Sequence, residues 1–243
     1  MTDQTPTVVL VHGAFADASS WNGVIERLHR QSIPVVAAAN PLRSLTGDAA
    51  YLRDVIAAVE GPVVLVGHSY GGLVISEAGS ANDRVVALVY VNAFVPEHDQ
   101  TAFDLSSEFP GSTLGDALDA HPLSSGGADL VIRPDAFHHQ FAADVDERTA
   151  GLMAATQRPV TQAALTEALP TSTPAWATTP AWCVFGDADL NIPVAEHRAG
   201  AERAKARGVR EVAGGSHALP VSQPDAVAET IVDAVRAVSA LAA

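Results

Sequence analysis

The segment Pro62-Val-Val-Leu-Val-Gly-His-Ser-Tyr-Gly-Gly72 decides how the chain is organised. Four apolar residues at 63–66 predict a buried strand, and an apolar helical pattern follows from Leu73. Between them, residues 67–71 have the form Gly-x-Ser-x-Gly. So sharp a turn strains the backbone of its central residue, and the flanking glycines remove the Cβ atoms that would collide. Ser69 is therefore expected to stand clear of a sheet, between a strand and a helix.

The rest of the chain alternates short apolar runs with helical patterns. Strands are predicted at residues 7–11, 33–39, 63–66, 85–91, 181–185 and 208–213. Helices between such strands predict an α/β protein with a doubly wound, mostly parallel sheet. Residues 94–176 lack a comparable apolar run and carry helical patterns broken by Pro and Gly. We therefore predict one domain, residues 1–243, with a core of about 1–93 and 177–243 and an inserted helical cap at about 94–176.

Composition limits the partners and the location of the protein. The 243 residues include 28 acidic and 14 basic side chains, a net charge of −14. Nucleic acids and anionic membranes attract positive charge, so neither is expected as a partner. Cys183 is the single cysteine, so no internal disulfide forms. No apolar run approaches the ~20 residues of a membrane span, and residues 1–6 lack the basic region of a signal peptide. These features predict a cytoplasmic protein.

Ser69 has the partners that a nucleophilic serine requires. Such a serine needs a base, and the base needs an acid to orient it. His217 is the candidate base, because it ends a Gly-Gly-Ser-His loop after the last predicted strand, at the sheet edge where ligands bind. Asp187 and Asp189 both follow the strand at 181–185, and both are candidates for the acid.

The reaction also needs two N–H donors for the negative charge that develops on a carbonyl oxygen. The backbone N–H of Tyr70, directly after the serine, is the first candidate. The second is the N–H of Ala14, with Phe15 as the alternative, in the loop after the first strand. Gly13 in that loop allows a close approach of the backbone.

Taken together, these motifs resemble the serine α/β-hydrolase superfamily. The branch they resemble has a small cap and contains carboxylesterases, plant-type methylesterases and hydroxynitrile lyases. The resemblance implies the order Ser69, Asp189, His217, and it favours Asp189 over Asp187 through the spacing Gly-x-x-Asp-x-x-x-Pro. The motifs that carry it are Val-His-Gly-Ala at 11–14, Trp21, the Gly67 turn, Gly186-x-x-Asp189-x-x-x-Pro193 and Gly215-x-His217.

Two positions separate the chain from the lyases of this branch. Those lyases typically carry Thr where Gly13 stands and Lys directly after the histidine, where this chain has Ala218. Ser69 also separates it from epoxide and haloalkane hydrolases, which use a carboxylate at that position. The resemblance therefore implies an esterase rather than a lyase.

The expected function is hydrolysis of a carboxylic ester of a small to medium, largely apolar substrate through an acyl-enzyme. Alternatives are thioester, lactone, amide or perhydrolase chemistry with the same residues, or a non-catalytic binding protein of the same fold. No metal site, cofactor or nucleotide site is expected. Oligomeric state cannot be inferred from the sequence. Candidate pocket residues are Phe15, Phe94, Phe137, His138 and Trp176.

Overall fold

The structure is a computed structural model that describes residues 5–242. Residues 1–4, part of the segment considered above for a signal peptide, lie outside the described residues. The strands are β1 (Thr7–Val11), β2 (Val35–Ala38), β3 (Val63–His68), β4 (Val85–Val91), β5 (Leu118–Pro122), β6 (Ala128–Ile132), β7 (Val160–Thr161), β8 (Ala181–Gly186) and β9 (Gly208–Val212). The helices are α1 (Asn22–Arg30), α2 (Leu45–Ala58), α3 (Gly71–Ala78), α4 (Ala102–Glu108), α5 (Pro134–Phe141), α6 (Glu147–Thr156), α7 (Gln162–Thr166), α8 (Val194–Arg203), α9 (Leu219–Ser222) and α10 (Pro224–Ala242).

Six strands form one sheet in the order β2-β1-β3-β4-β8-β9. Every neighbouring pair in this sheet is parallel. The predicted doubly wound α/β fold is therefore confirmed. None of the helices within residues 5–242 is long and apolar enough to cross a membrane.

Strand β1 shows why helices cover both faces of the sheet. Val8 and Leu10 are fully buried in a cluster that includes Leu28 of α1 and Ile231 of α10. Val9 points to the opposite face and belongs to a second cluster, which contains residues of α2 and α3. Successive side chains of a strand alternate between the two faces. A strand that is apolar at every position therefore needs a hydrophobic layer on each side.

The turn after β3 has the strained conformation that the sequence predicts. Ser69 has a φ of +55°, in the left-handed region that non-glycine residues rarely adopt. A Cβ atom on Gly67 would lie 2.6 Å from the carbonyl oxygen of Gly71, closer than atoms can approach. The backbone of this turn therefore closes on itself so tightly that only glycine fits at position 67.

The segment between β4 and β8 differs from the predicted wholly helical cap. Strands β5, β6 and β7 form a three-stranded antiparallel sheet, in which Leu130 pairs with both Ala120 and Val160. Helix α7 covers only Gln162–Thr166, directly after β7. These strands are short and half exposed, so they lack the continuous apolar run that marks a buried strand. The boundaries of the cap at about 94 and 176 remain a prediction.

Hydrogen bonds fasten β7 and the β5–β6 hairpin to the loop after β2. The Thr161 backbone N–H donates to Leu42 O at 3.1 Å, and its hydroxyl donates to Arg43 O at 2.6 Å. The Arg43 guanidinium donates in turn to Asp129 of β6, at 2.6 Å, and to the carbonyl of Pro159. The inserted segment is thus held against the core close to the loop that carries Ala14 and Phe15, because Phe15 N–H donates to Arg158 O.

The turn after β3 yields a prediction for stability. Gly67→Ala places a methyl group against the Gly71 carbonyl, so the free energy of unfolding should fall by about 1–3 kcal/mol. Gly151→Ala is the matched control, because Gly151 lies in α6 with no atom within 4 Å of the added Cβ. A helical Gly→Ala change stabilises by roughly 0.5–1 kcal/mol. Urea unfolding measures both, and equal midpoints for the two variants would contradict this account.

Candidate active site

Three side chains predicted to act together follow three strands of the main sheet. Ser69 follows β3, Asp189 follows β8, and His217 follows β9. The strands are parallel, so their carboxyl ends share one edge of the sheet, where α/β proteins bind ligands. All three residues are buried. Topology thus gathers residues that are far apart in the sequence at one edge.

Asp189 and His217 form a direct pair. Asp189 Oδ2 accepts a hydrogen bond from His217 Nδ1 at 2.7 Å, and the side chains are only 0% and 1% exposed. An ionised carboxylate accepts hydrogen bonds and donates none. Nδ1 of a neutral His217 therefore carries the proton, and Nε2 keeps its lone pair. That is the tautomer in which a histidine can accept a proton from a serine.

Asp187, the alternative acid, lies elsewhere. Its side chain is exposed, and Oδ1 accepts a hydrogen bond from the Gly214 N–H at 2.6 Å. Its contact therefore joins the loop after β8 to the loop after β9. Of the two aspartates, Asp189 has the hydrogen bond to the imidazole of His217.

Asp189 accepts four hydrogen bonds. Oδ1 accepts from the backbone N–H groups of Asn191, at 2.8 Å, and Ile192, at 3.0 Å. Oδ2 accepts from His217 and also from His197 Nε2, at 3.1 Å. Burial alone would raise the pKa of Asp189, but the charge of His217 and the hydrogen bonds from both histidines lower it well below its usual range. Asp189 is therefore ionised at neutral pH.

His68, the residue before Ser69, supports the base. Its Nε2 donates to the backbone carbonyl of His217 at 2.9 Å, and the two ring centroids are 4.8 Å apart. Burial, followed by the charge on His217, lowers the pKa of His68 to about 3. His68 is therefore neutral at physiological pH, with its proton on the nitrogen that donates to His217. This hydrogen bond joins the turn of Ser69 to the loop that carries His217.

Asn92 joins the loops of the acid and the base, and sequence reasoning missed it. Its amide oxygen accepts from Gly186 N–H and its amide nitrogen donates to Ser216 O, both at 2.8 Å. Asn92 is fully buried and has a φ of +40°. The one available signal is an asparagine directly after an apolar strand, which alone does not reveal its two partners.

The two residues predicted to donate to a developing oxyanion, Ala14 and Tyr70, share a cavity with Ser69. Among the described residues, neither backbone N–H donates a hydrogen bond. Phe15, the alternative donor, already donates its N–H to Arg158 O at 3.2 Å. The geometry therefore favours Ala14 over Phe15.

Ser69 and His217 share no hydrogen bond within the described residues. Across residues 5–242, none of the hydrogen bonds joins Ser69 Oγ to the His217 ring, and His217 is not among the residues that line the cavity. Catalytic hydrogen bonds often tighten only when substrate binds. His217 is thus held near the serine turn by its bonds to Asp189 and His68, without a bond to Ser69 itself.

A cavity of about 530 Å³ opens onto Ser69. Its wall is mostly apolar, and its polar members are hydroxyl and amide side chains such as Ser112, Gln162 and Asn191. No Asp, Glu, Lys, Arg or His of the described residues lines it. The Tyr70 hydroxyl donates to Asp48 at 2.9 Å, so a substrate meets the rest of this side chain. The cavity suits a neutral molecule.

The predicted pocket residues divide into two groups. Phe15 and Phe94 line the cavity, whereas Phe137, His138 and Trp176 do not, and their prediction is corrected here. Phe137 is fully buried, with its ring 5.0 Å from that of Phe141. His138 bonds the Val145 carbonyl at 2.8 Å, and Trp176 donates to Pro96 O at 2.7 Å. These side chains make contacts within the inserted segment and do not line the cavity.

The inserted segment contributes wall residues that sequence reasoning missed. Leu118 and Ala120 of β5 and Leu130 of β6 line the cavity. Leu165 of α7 also lines it, as does Ile192, which lies outside the inserted segment in the loop after β8. The signal was the alternation of apolar and polar residues at 118–122, which is short and ends at a proline.

A strained serine turn, a buried Asp–His pair and an apolar cavity lie together at one edge of the sheet. The chain matches the alpha/beta hydrolase family over residues 8–230, which is most of its length. It therefore belongs to the alpha/beta hydrolase family. The resemblance stated from the motifs is confirmed at this level.

Individual relatives and solved structures resemble the chain over different shares of its length. The chain is 33% identical to the carbendazim hydrolyzing esterase of Nocardioides sp. (strain SG-4G), over 46% of this chain and 56% of that protein, so the match spans little more than half of it. It is 27% identical to the alpha/beta hydrolase nvfD of Aspergillus novofumigatus (strain IBT 16806), over 77% of this chain and 80% of that protein. Polyneuridine aldehyde esterase has the same fold, with a TM-score of 0.80 at 20% identity, covering 95% of this chain and 99% of that chain.

The two aspartates yield a prediction for activity. Asp189→Asn should lower kcat for an activated ester by about 10³–10⁴-fold, because the amide no longer fixes the tautomer of His217 or stabilises its positive charge. Asp187→Asn is the matched control, and its kcat should stay close to that of the wild type. Steady-state assays of both variants check the assignment. A large loss in the Asp187 variant with little loss in the Asp189 variant would reverse it.

Proposed function

We propose that the protein is a serine hydrolase that cleaves a carboxylic ester of a small to medium, largely apolar substrate through an acyl-enzyme. The observation that carries the proposal is the bond between His217 Nδ1 and Asp189 Oδ2, at the same sheet edge as the strained turn of Ser69. The esterase names of two relatives support ester cleavage. In this proposal Ser69, Asp189 and His217 are the catalytic residues.

In the first half of the reaction, Ser69 Oγ attacks the ester carbonyl carbon. His217 Nε2 takes the hydroxyl proton as the bond to carbon forms. The negative charge on the carbonyl oxygen is stabilised by the N–H groups of Ala14 and Tyr70. When the tetrahedral intermediate collapses, the bond to the alkoxy oxygen breaks, and that oxygen takes the proton from His217. The alcohol leaves, and the acyl group stays on Ser69.

In the second half, water replaces the alcohol. His217 takes a proton from water as its oxygen attacks the acyl carbon, and the same two N–H groups stabilise the charge again. Collapse of this intermediate returns the proton to Ser69 Oγ and releases the carboxylic acid. Throughout, the ionised Asp189 stabilises the imidazolium form of His217 without taking its proton.

The cavity limits the substrate. A volume of about 530 Å³ lies in the range of pockets that bind drug-sized molecules. Because no ionised side chain lines it among the described residues, a charged acyl group would lose its hydration without gaining a partner. Neutral esters are therefore the proposed substrates. We further propose that the partner is this small molecule alone, and that the protein works in the cytoplasm without nucleic acid or membrane.

Replacement of Ser69 tests the nucleophile. Ser69→Ala should lower the turnover of p-nitrophenyl butyrate by about 10⁴-fold or more, because no acyl-enzyme can form. It should also abolish labelling by a fluorophosphonate probe. Ser106→Ala, which changes another serine in the wall of the same cavity, should keep both the turnover and the labelling of the wild type. Full turnover in the Ser69 variant would refute the proposal, and an unlabelled but folded wild type would favour a binding protein without catalysis.

Paired substrates test the neutrality of the pocket. kcat/KM for p-nitrophenyl butyrate should exceed that for mono-p-nitrophenyl succinate by about 10²-fold or more, because the second ester buries an unpaired carboxylate. Leu130→Lys places a cation in the cavity wall and should narrow the ratio, whereas Leu130→Met should leave it unchanged. A ratio near one in the wild type, measured after correction for spontaneous hydrolysis, would contradict the assignment of a neutral substrate.

A further inference from the structure

A second histidine bonds the oxygen that holds His217. His197 lies in α8, and its Nε2 is 3.1 Å from Asp189 Oδ2. Its side chain is 1% exposed, and that of Asp189 is fully buried. The His197 ring stacks on Phe185 of β8, with centroids 5.2 Å apart and planes 18° from parallel. His197 is thus fixed in place by a ring on one side and a carboxylate on the other.

The chemistry of the carboxylate fixes the direction of this bond. An ionised Asp189 only accepts, so His197 donates from Nε2. Oδ2 then carries two imidazole donors, while Oδ1 carries the two backbone donors described above. Rotation of the carboxylate would break several of these bonds at once. His217 therefore receives a carboxylate whose orientation is set before substrate arrives.

We propose that His197 is a positioning residue, whose hydrogen bond to Asp189 Oδ2 holds the carboxylate in the orientation that bonds His217. Asp189 Oδ2 then accepts hydrogen bonds from two imidazoles at once. This inference rests on the proposed function, since it assigns His217 as the base. His197 itself touches neither substrate nor Ser69. It acts through Asp189.

Because Asp189 Oδ2 accepts hydrogen bonds from both His197 and His217, the pH range of activity should depend on His197. A carboxylate oxygen that also bonds His197 stabilises the imidazolium of His217 less than one that bonds His217 alone. His217 must be neutral to act as a base, so activity falls when acid protonates it. Loss of the His197 donor should therefore move this fall in activity to higher pH.

Other ionisable groups surround the pair and must stay constant in the test. Burial raises the pKa of Glu196, on α8, to about 7, so this carboxyl group titrates near neutral pH. The variants below leave Glu196 unchanged, so its contribution cancels when they are compared. Close to these residues, His68 of β3 has its ring 4.8 Å from that of His217, and Asp144 accepts a hydrogen bond from Ser216. Glu196, next to His197 on α8, has Arg203 and Glu108 as its own charged neighbours.

Two substitutions of His197 test its hydrogen-bond donor separately from its aromatic ring. His197→Phe keeps an aromatic ring against Phe185 and removes the donor. His197→Gln keeps an N–H donor near the position of Nε2 and cannot become a cation. His29→Gln, at an exposed position of α1, is the matched control. The measurements are kcat, KM and the pH profile of kcat/KM for p-nitrophenyl butyrate.

The Phe variant should lose roughly threefold to tenfold in kcat with little change in KM, because orientation of the base is lost while the cavity is intact. Its acid limb should move up by about one pH unit, the scale of one hydrogen bond to a charged group. The Gln variant should restore both values, and the His29 variant should match the wild type. An unshifted acid limb in the Phe variant, or an equal shift in the Gln variant, would overturn the proposal.

If the Phe variant fails to fold, His197→Asn takes its place with the same expectation, because its shorter amide cannot reach Asp189.

A readout without turnover keeps this proposal separate from the function itself. NMR titration of ¹⁵N-labelled histidine rings gives the protonation midpoint of His217 in each variant. The midpoint should rise in the Phe variant and return in the Gln variant. If the wild type neither cleaves esters nor reacts with fluorophosphonate, the proposed function fails, and these midpoints still decide whether His197 acts on the Asp189–His217 pair. Identical midpoints in all variants would reject that role.

Discussion

The strained backbone of Ser69 is the constraint on which the rest of the site depends. A φ of +55° at this residue is costly, and it persists because β3 and α3 hold both ends of the turn. The same geometry directs the serine into the cavity and leaves the Tyr70 N–H without a partner among the described residues. One local distortion thus presents both the proposed nucleophile and a donor for the charge its attack creates. Burial of the strand before the turn and of the helix after it offsets this cost.

Around this turn, buried and exposed polar side chains tie together the loops after β4, β8 and β9. Asn92 links the loops after β8 and β9, and Asp187 links them a second time through Gly214. Asp189 adds a third connection through His217. Each loop alone would be free to move, since loops lack the packing of strands. Together these bonds hold the acid and base of the proposed mechanism at the sheet edge, while the inserted segment supplies the apolar wall.

The sequence was sufficient where the signal is local. Strands β1, β3, β4 and β8 are largely apolar runs, and the turn of Ser69 is a five-residue pattern, so both were predicted correctly. The bond from His197 to Asp189 was not foreseen, because it depends on how α8 packs against the loop after β8. The β5–β6 hairpin was missed because its strands are short and half exposed. The inward packing of Phe137 was missed because an aromatic residue on an amphipathic helix gives the same sequence pattern whether it lines a pocket or packs in a small core.

The covalent intermediate is the most direct test of the central claim. Wild-type protein is mixed with an excess of p-nitrophenyl butyrate, quenched in acid within the first turnovers, digested and analysed by mass spectrometry. The account predicts a butyryl group on the peptide that carries Ser69, formed together with a burst of p-nitrophenol. Steady hydrolysis without a burst and without any acylated peptide, or an acyl group on another residue, would contradict it.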